Sequence, residues 1–390
     1  MNFDRMWADL APVGRHPGTG GYRRFAWTGT DIVLRQWFRD EAEQRGLDVV
    51  RDRAGNLWAW TADPDTNGPG LVVGSHLDSV PDGGAFDGPL GVVSAFAALD
   101  LLTANGWTPR RPVGVACFAD EEGARFGVAC AGSRLLTGAL DADRARALTD
   151  DDGTTMAEAM AAAGHDPGTL GRDDEALRRV GTFLELHVEQ GRGLVDEGAA
   201  IGVASSIWPH GRWRLDLRGR ADHAGTTRLA DRDDPMLALA AIVLEARTAA
   251  ERRGALATVG KVRVEPNGVN AIPSTVTAWL DARGPAEDAV RALVADVGGA
   301  AGTAPVEESW TPDTRFDPQL RDRLATLLAA PVLPTGAGHD AGILSAAGIP
   351  TAMLFVRNPT GVSHSPAEHA EEADCLAGVT ALARAIEALA

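Results

Sequence analysis

Lysine is almost missing from this chain: of 37 basic residues only Lys261 is a lysine, and the rest are arginines. With the abundance of Ala and Gly this reflects base composition, and it carries no functional weight. Cysteine is scarce too. Cys117, Cys130 and Cys375 form no close-set ligand pair and no disulfide framework, so a reduced, cytoplasmic protein is expected. No apolar run approaches transmembrane length, and the opening "MNFDRMWADLAPVGRHPG" lacks the apolar core of a secretion signal. Positive charge is in deficit, with 54 acidic against 37 basic groups and a net charge of −17. That field repels phosphate backbones and anionic lipid, so neither nucleic acid nor a membrane surface is an expected partner. A small anionic substrate stays open, provided a local arginine meets it. The chain also lacks a G-x-S-x-G elbow and a G-x-x-x-x-G-K-[ST] loop, which leaves serine-hydrolase and phosphate-loop chemistry without a motif.

What is present is ordinary in bulk: 45% apolar and 23% charged residues, in a 390-residue chain long enough for two domains. "DIVLRQWFRDEAEQRG" reads as an amphipathic helix and "LDVVRDRAGNLWAW" as two strands. "LVVGSH", "GVVSAFAALDLLTANG", "PVGVACFADEE", "TFLELHVEQG", "PTAMLFVRN" and "CLAGVTALARAIEALA" then alternate strand and helix. This predicts an α/β domain with a mostly parallel sheet and helices on both faces, over residues 1–205 and 315–390. Residues 206–314 read differently, as β-α-β-β-α-β, a ferredoxin-like α+β domain inserted into the first.

Four apolar runs of the larger domain are followed at once by groups that can bind a metal. "LVVGSHLD" delivers His76 and Asp78, and "VGVACFADEEG" delivers Asp120, Glu121 and Glu122. "FLELHVEQG" delivers His187, Glu189 and Gln190, while His364 follows "AMLFVRN"; Asp87 lies in "GAFDGPLG". Any one of these reads as a solvated turn. Four at the same end of successive strands, where open α/β sheets bind ligands, point to a metal site. Three histidines with carboxylates, and no accompanying cysteine, suit a pair of divalent ions. His76 and Asp78, two apart on an extended chain, face the same side, so Asp78 can accept the second imidazole N–H and fix the ring. Adjacent Glu121 and Glu122 point in different directions and can divide the roles of ligand and base.

The motifs "GSHLDSVPDGGAFDGPLGV", "DEEGARFG", "HVEQG", "DHAGTT", "PNGVNAIP", "GAGHDA" and "GVSHSPAEH" span nearly the whole chain. In them the chain resembles the M20 amidohydrolases, in the branch of N-carbamoyl-L-amino-acid hydrolases and allantoate amidohydrolases. The resemblance implies two divalent ions per subunit, zinc or manganese, with cobalt or nickel also possible. Asp87 would bridge them, His76 and His187 would hold one, and Glu122 and His364 the other. Glu121 would be general base, and a non-proline cis peptide would fall at Asp87–Gly88. His339 of "GAGHDA" would support the site from behind.

The resemblance further implies that the inserted domain is a lid and dimerisation domain whose groups cross a homodimer interface. His223 would polarise the scissile carbonyl, and Asn270, Arg283 and Gln190 would hold the substrate carboxylate. Taken alone, Arg283 reads equally well as a surface ion pair. Where relatives often carry Pro-Met after "HAGTT", this chain has Arg228-Leu229, a cation that suits either a second substrate carboxylate or open solvent. The implied reaction is hydrolysis of a linear C–N bond in a small anionic ureido acid, with ammonia and carbon dioxide released. An N-formyl or N-formimino amino acid is the nearest alternative. A dipeptidase or aminoacylase is disfavoured, because peptide-cutting relatives usually have a carboxylate where this chain has His187. His16, His165, His210 and His369 read as surface histidines.

Overall fold

The runs Gly70–His76, Val113–Phe118, Val180–Val188 and Thr351–Val356 become the four central strands of a nine-stranded sheet in the computed structural model, which describes residues 2–390. They lie side by side in the order 113–118, 70–76, 180–188, 351–356, and every neighbouring pair is parallel. Nearly all their residues are buried, as strands covered on both faces must be, which is why they read as continuous apolar runs. Their carboxyl ends therefore share one edge of the sheet. Toward the margins the pairing turns antiparallel. Leu57–Trp60 and then Asp48–Arg51 flank one side, and Ile201–Ile207 lies on the other, carrying Thr314–Arg315 and Val332–Thr335 beyond it.

Alternation along the strands sorts the faces. Leu71, Val73, Val113, Val115, Leu184, Leu186 and Leu354 enter one core with the helices Pro89–Ala104 and Glu372–Leu389. Pro89–Ala104 is buried on nearly all sides, as a helix between a sheet and a second helix has to be. Phe183, Glu185 and His187 alternate with Leu184, Leu186 and Val188, so they face the opposite side. There the backbone N–H of Ala341, in the helix Asp340–Ala346, donates to Glu185.

Contacts divide the chain into two units, residues through Ser206 with Arg315–Ala390, and Ile207–Thr314. The second unit is an antiparallel sheet in the order Val306–Thr311, His210–Arg218, Thr275–Arg283, Leu256–Glu265. Strict alternation of buried and part-exposed residues along His210–Arg218 and Thr275–Arg283 gives the sheet one apolar face. Leu215, Val276 and Leu280 on that face share a core with Ile242 and Leu293 of the helices Pro235–Arg253 and Glu287–Ala301. The first helix is bounded by an Asp234 N-cap, Pro235 at its first turn and a left-handed Gly254 beyond its end.

One backbone expectation fails. Among the described residues the only cis peptide is Glu265–Pro266, and Asp87–Gly88 is trans. The turn into Pro89–Ala104 is made by Gly88 at φ 86° and ψ −61°, a conformation open to glycine because it has no Cβ.

Candidate metal centre

The strand ends place the predicted ligands. His76 is the last residue of its strand, His187 is one from the end of its own, and Asp120–Glu122 follow Phe118 after a single alanine. Asp87 sits just before Pro89–Ala104, and His364 lies in the loop after Thr351–Val356. Around Asp87 these groups form two clusters, His76–Asp87–His187 and Asp87–Glu122–His364. The Oδ1 of Asp87 is 3.1 Å from His187 Nε2 and 3.6 Å from His76 Nε2. Its Oδ2 is 3.4 Å from His364 Nε2, which in turn lies 3.7 Å from Glu122 Oε2. Glu121 Oε2 stands 3.7 Å from His76 Nε2.

The donor chemistry fits divalent ions. The Nδ1–H of His76 donates to the Asp78 carbonyl at 3.1 Å, and that of His187 to the Val188 carbonyl at 2.8 Å. Each bond fixes the tautomer that leaves a lone pair on Nε2, and both Nε2 atoms are buried without a hydrogen-bond partner. Carboxylates crowd the same volume. Burial pushes Glu121 well above the usual carboxyl range, with His76 opposing and Asp340 and Glu122 adding to the rise. Burial, then the charge of Asp87, brings Glu122 to about 7. At Asp87 burial acts upward, but His187, His364 and His76 hold the carboxyl well below its ordinary value. At His76 burial acts downward and the surrounding carboxylates, Glu121 first, raise it well above. Such a pocket favours positive charge.

Asp78 works differently from the simplest expectation. Its main-chain carbonyl, not its carboxylate, makes the close contact to His76; the carboxylate is 3.5 Å from the ring. That carboxylate accepts the backbone N–H groups of Glu121 and Glu122 at 3.2 and 3.0 Å, tying the acidic turn to the His76 strand. The Gln190 amide donates to Asp87 Oδ2 at 2.8 Å. His339 is buried, its ring centroid 4.5 Å from that of His187.

Within the second unit the exposed strand Asp222–His223 pairs with Ala271–Ile272 as a short ribbon, and the Ala224 N–H donates to the Asn270 carbonyl. His223 and Asn270 are thus neighbours. The Gly225 N–H donates to His223 Nδ1 at 3.0 Å, which leaves Nε2 as the N–H of the neutral ring. Arg283 is elsewhere, at the far end of Thr275–Arg283, with its guanidinium on both oxygens of Asp281 at 2.8 and 2.6 Å. Arg228 is exposed and paired with Asp231.

Sequence reading missed several polar residues here. Glu185 accepts from Ser75 Oγ and the Ala341 N–H, and its place in "FLELHV", two before His187, was a signal, since period two puts both on one face. Asp340 takes the Ser133 hydroxyl at 2.5 Å, and the Cys130 thiol points to Glu121 Oε1 at 3.4 Å. His165 is not a surface residue: it is buried, stacked on Trp27, and bonded to the Arg53 carbonyl, its position set by packing between segments distant in sequence.

Two groups of candidate ligands sharing one aspartate thus lie at the carboxyl edge of an α/β sheet, the edge at which such sheets bind ligands. The chain belongs to peptidase family M20/M25/M40, whose profile matches residues 72–388. It is 34% identical to the N-carbamoyl-L-amino acid amidohydrolase of Geobacillus stearothermophilus, over 99% of this chain and 98% of that protein. It is 32% identical to the allantoate amidohydrolase of Escherichia coli K12, over 98% of this chain and 96% of the relative. An amidase of the hydantoinase/carbamoylase family from Burkholderia vietnamiensis has the same fold, with a TM-score of 0.91 and 29% identity over 100% of this chain and 97% of that one. No helix among the described residues is long and apolar enough to cross a membrane.

Proposed function

We propose that this chain hydrolyses the linear C–N bond of a small ureido acid, an N-carbamoyl-L-amino acid or allantoate, releasing ammonia and carbon dioxide. The observation that carries the reading is Asp87, whose two oxygens face separate ligand clusters. The names of the relatives, and His187 at a position where peptide-cutting relatives usually hold a carboxylate, support a carbamoyl rather than a peptide substrate. His76 and His187 would hold one divalent ion and Glu122 and His364 the other, with zinc or manganese as the ions of choice. Such ions supply Lewis acidity and acidify water.

The chain's own groups do the rest. Glu121, a buried carboxyl with raised proton affinity, takes a proton from the attacking water and returns it to the leaving nitrogen. His223, with its proton on Nε2, donates to the carbonyl oxygen as charge builds there. Gln190, Asn270 and Arg283 bind the substrate carboxylate. Along Thr275–Arg283, eight residue steps put Arg283 about 27 Å from the end where the His223–Asn270 ribbon begins. One small carboxylate cannot meet Asn270 and Arg283 of the same copy, which supports a homodimer in which the inserted unit acts as lid and dimerisation domain. Three buried free thiols accord with a reduced, cytoplasmic setting.

The test is a substrate panel of allantoate, several N-carbamoyl-L-amino acids, N-formyl-L-glutamate and one dipeptide, assayed after chelation and after manganese or zinc is restored. Metal-dependent ammonia release from a ureido acid is expected. Turnover of the formyl compound or dipeptide alone would refute the carbamoyl assignment.

A further inference from the structure

Glu368 lies outside the ligand set, yet it is tied to both halves of it. Its Oε1 accepts two backbone N–H groups, from Phe86 at 2.9 Å and from Asp87 at 3.0 Å. Its Oε2 accepts the Ser363 hydroxyl at 2.9 Å. Ser363 immediately precedes His364, and its Oγ is also 3.4 Å from Asp87 Oδ2. The carboxylate is thus shared between the loop carrying the central aspartate and the loop carrying His364, segments 281 residues apart in the chain. Glu368 is only 6% exposed, so it has little water to substitute for these partners.

A second observation concerns how the Glu368 side chain is packed rather than what it hydrogen-bonds. A Cβ placed on Gly84 would stand 2.3 Å from Glu368 Oε1 and 2.4 Å from its Cβ. The backbone of Gly84 is outside the left-handed region, so close approach, not conformational freedom, requires glycine there. The Asp87 loop carries a notch into which the Glu368 side chain fits.

We propose that Glu368 is a positioning residue that clamps the Asp87 and His364 loops at a fixed spacing, and thereby sets the affinity for the ion held between them. Two N–H groups converging on one oxygen fix the Asp87 backbone, so its carboxylate presents one oxygen to each ligand cluster. The other oxygen anchors the residue next to His364. Without the clamp, Asp87 and His364 are joined only through side-chain contacts at 3.4 Å and through the Gln190 amide.

The inference rests on the two-ion reading, and the experiment separates the two. Manganese stoichiometry and dissociation constants are measured by chelator competition for the native chain, Glu368→Ala, Glu368→Gln and Gly84→Ala, alongside melting temperatures and the kcat and KM of each. Loss of an outer partner of this kind typically weakens metal affinity by ~10- to 100-fold. That loss is expected in Glu368→Ala, and in Gly84→Ala although the carboxylate is intact, with KM little changed once the ions saturate. Gln keeps an oxygen for the two N–H groups and an amide for the Ser363 oxygen, so it should restore affinity to within several-fold of native. Native affinity in a folded Glu368→Ala or Gly84→Ala chain overturns the proposal, as does a Gln variant no better than Ala. If Glu368→Ala does not fold, the other two variants decide. If the native chain binds a single ion, the two-ion reading fails, and the affinity of that ion in the variants still decides the role of Glu368.

Discussion

A methyl group on Gly88 would stand 2.5 Å from the Nδ1 and Cε1 atoms of the His76 ring. The residue that turns the chain into Pro89–Ala104 also leaves the space in which the His76 imidazole, a proposed ligand, lies. Gly88→Ala is therefore expected to displace His76 as well as strain a backbone at φ 86° and ψ −61°, at a cost of about 1–3 kcal/mol for the backbone alone. Metal content measured on the folded variant checks this: loss of the ion at His76 and His187 is expected, with a modest drop in melting temperature.

Glu121→Gln is expected to keep both ions and lose turnover. Its Oε2 is 3.7 Å from His76 Nε2, close enough to act on the reacting water without being needed as a ligand. A general base contributes roughly 10²–10⁴-fold, so a kcat loss of that order with unchanged metal stoichiometry is the expected pair of results. Loss of metal with activity retained would reverse the roles assigned to Glu121 and Glu122.

His223→Ala should cripple kcat while leaving metal content alone, since His223 belongs to the other unit and takes no part in either ligand cluster. If His223 serves a neighbouring copy, mixing His223→Ala with Glu121→Gln chains generates some sites with both groups intact. Partial recovery on mixing checks this; strictly additive residual activity would place His223 and Glu121 of the same chain in one site.

Affinity for divalent ions is expected to rise from pH 6 to pH 9. Burial and then Asp87 bring Glu122 to about 7; at His364 burial acts downward, but Asp87 and Glu122 bring the ring to about 9. An arriving ion must displace protons held by these groups, and raising the pH through each value removes that competition. Titration calorimetry in buffers of different ionisation enthalpy should report protons released on binding, more of them at pH 6 than at pH 9. A pH-independent affinity would mean that the ligands titrate outside this range.

Much of the site was legible because parallel strands impose a rule: apolar on both faces, polar at the carboxyl end. His76, His187 and the Asp120–Glu122 turn each follow an apolar run directly, so order along the chain already implied a common edge. Glu368 and Asp340 were not singled out, although they lie inside quoted motifs, because their partners are backbone amides and hydroxyls far away in sequence. Arg283 shows the same limit in reverse. A strand that ends in arginine two residues after an aspartate does not say whether the two side chains pair, and only the fold shows the guanidinium on both Asp281 oxygens.

The sequence by itself determined the strand-helix alternation, the inserted β-α-β-β-α-β unit and the residue types gathered at the strand ends. These depend on local periodicity and on which side chains tolerate burial. Tertiary structure decided which oxygen of Asp87 faces which histidine, that a main-chain carbonyl orients His76, and that Gly88 turns the chain through a trans peptide. The first of these depends on distances between segments far apart in the chain, and the other two on backbone angles within short loops; no pattern of residue types encodes either until the sheet has brought the strand ends together.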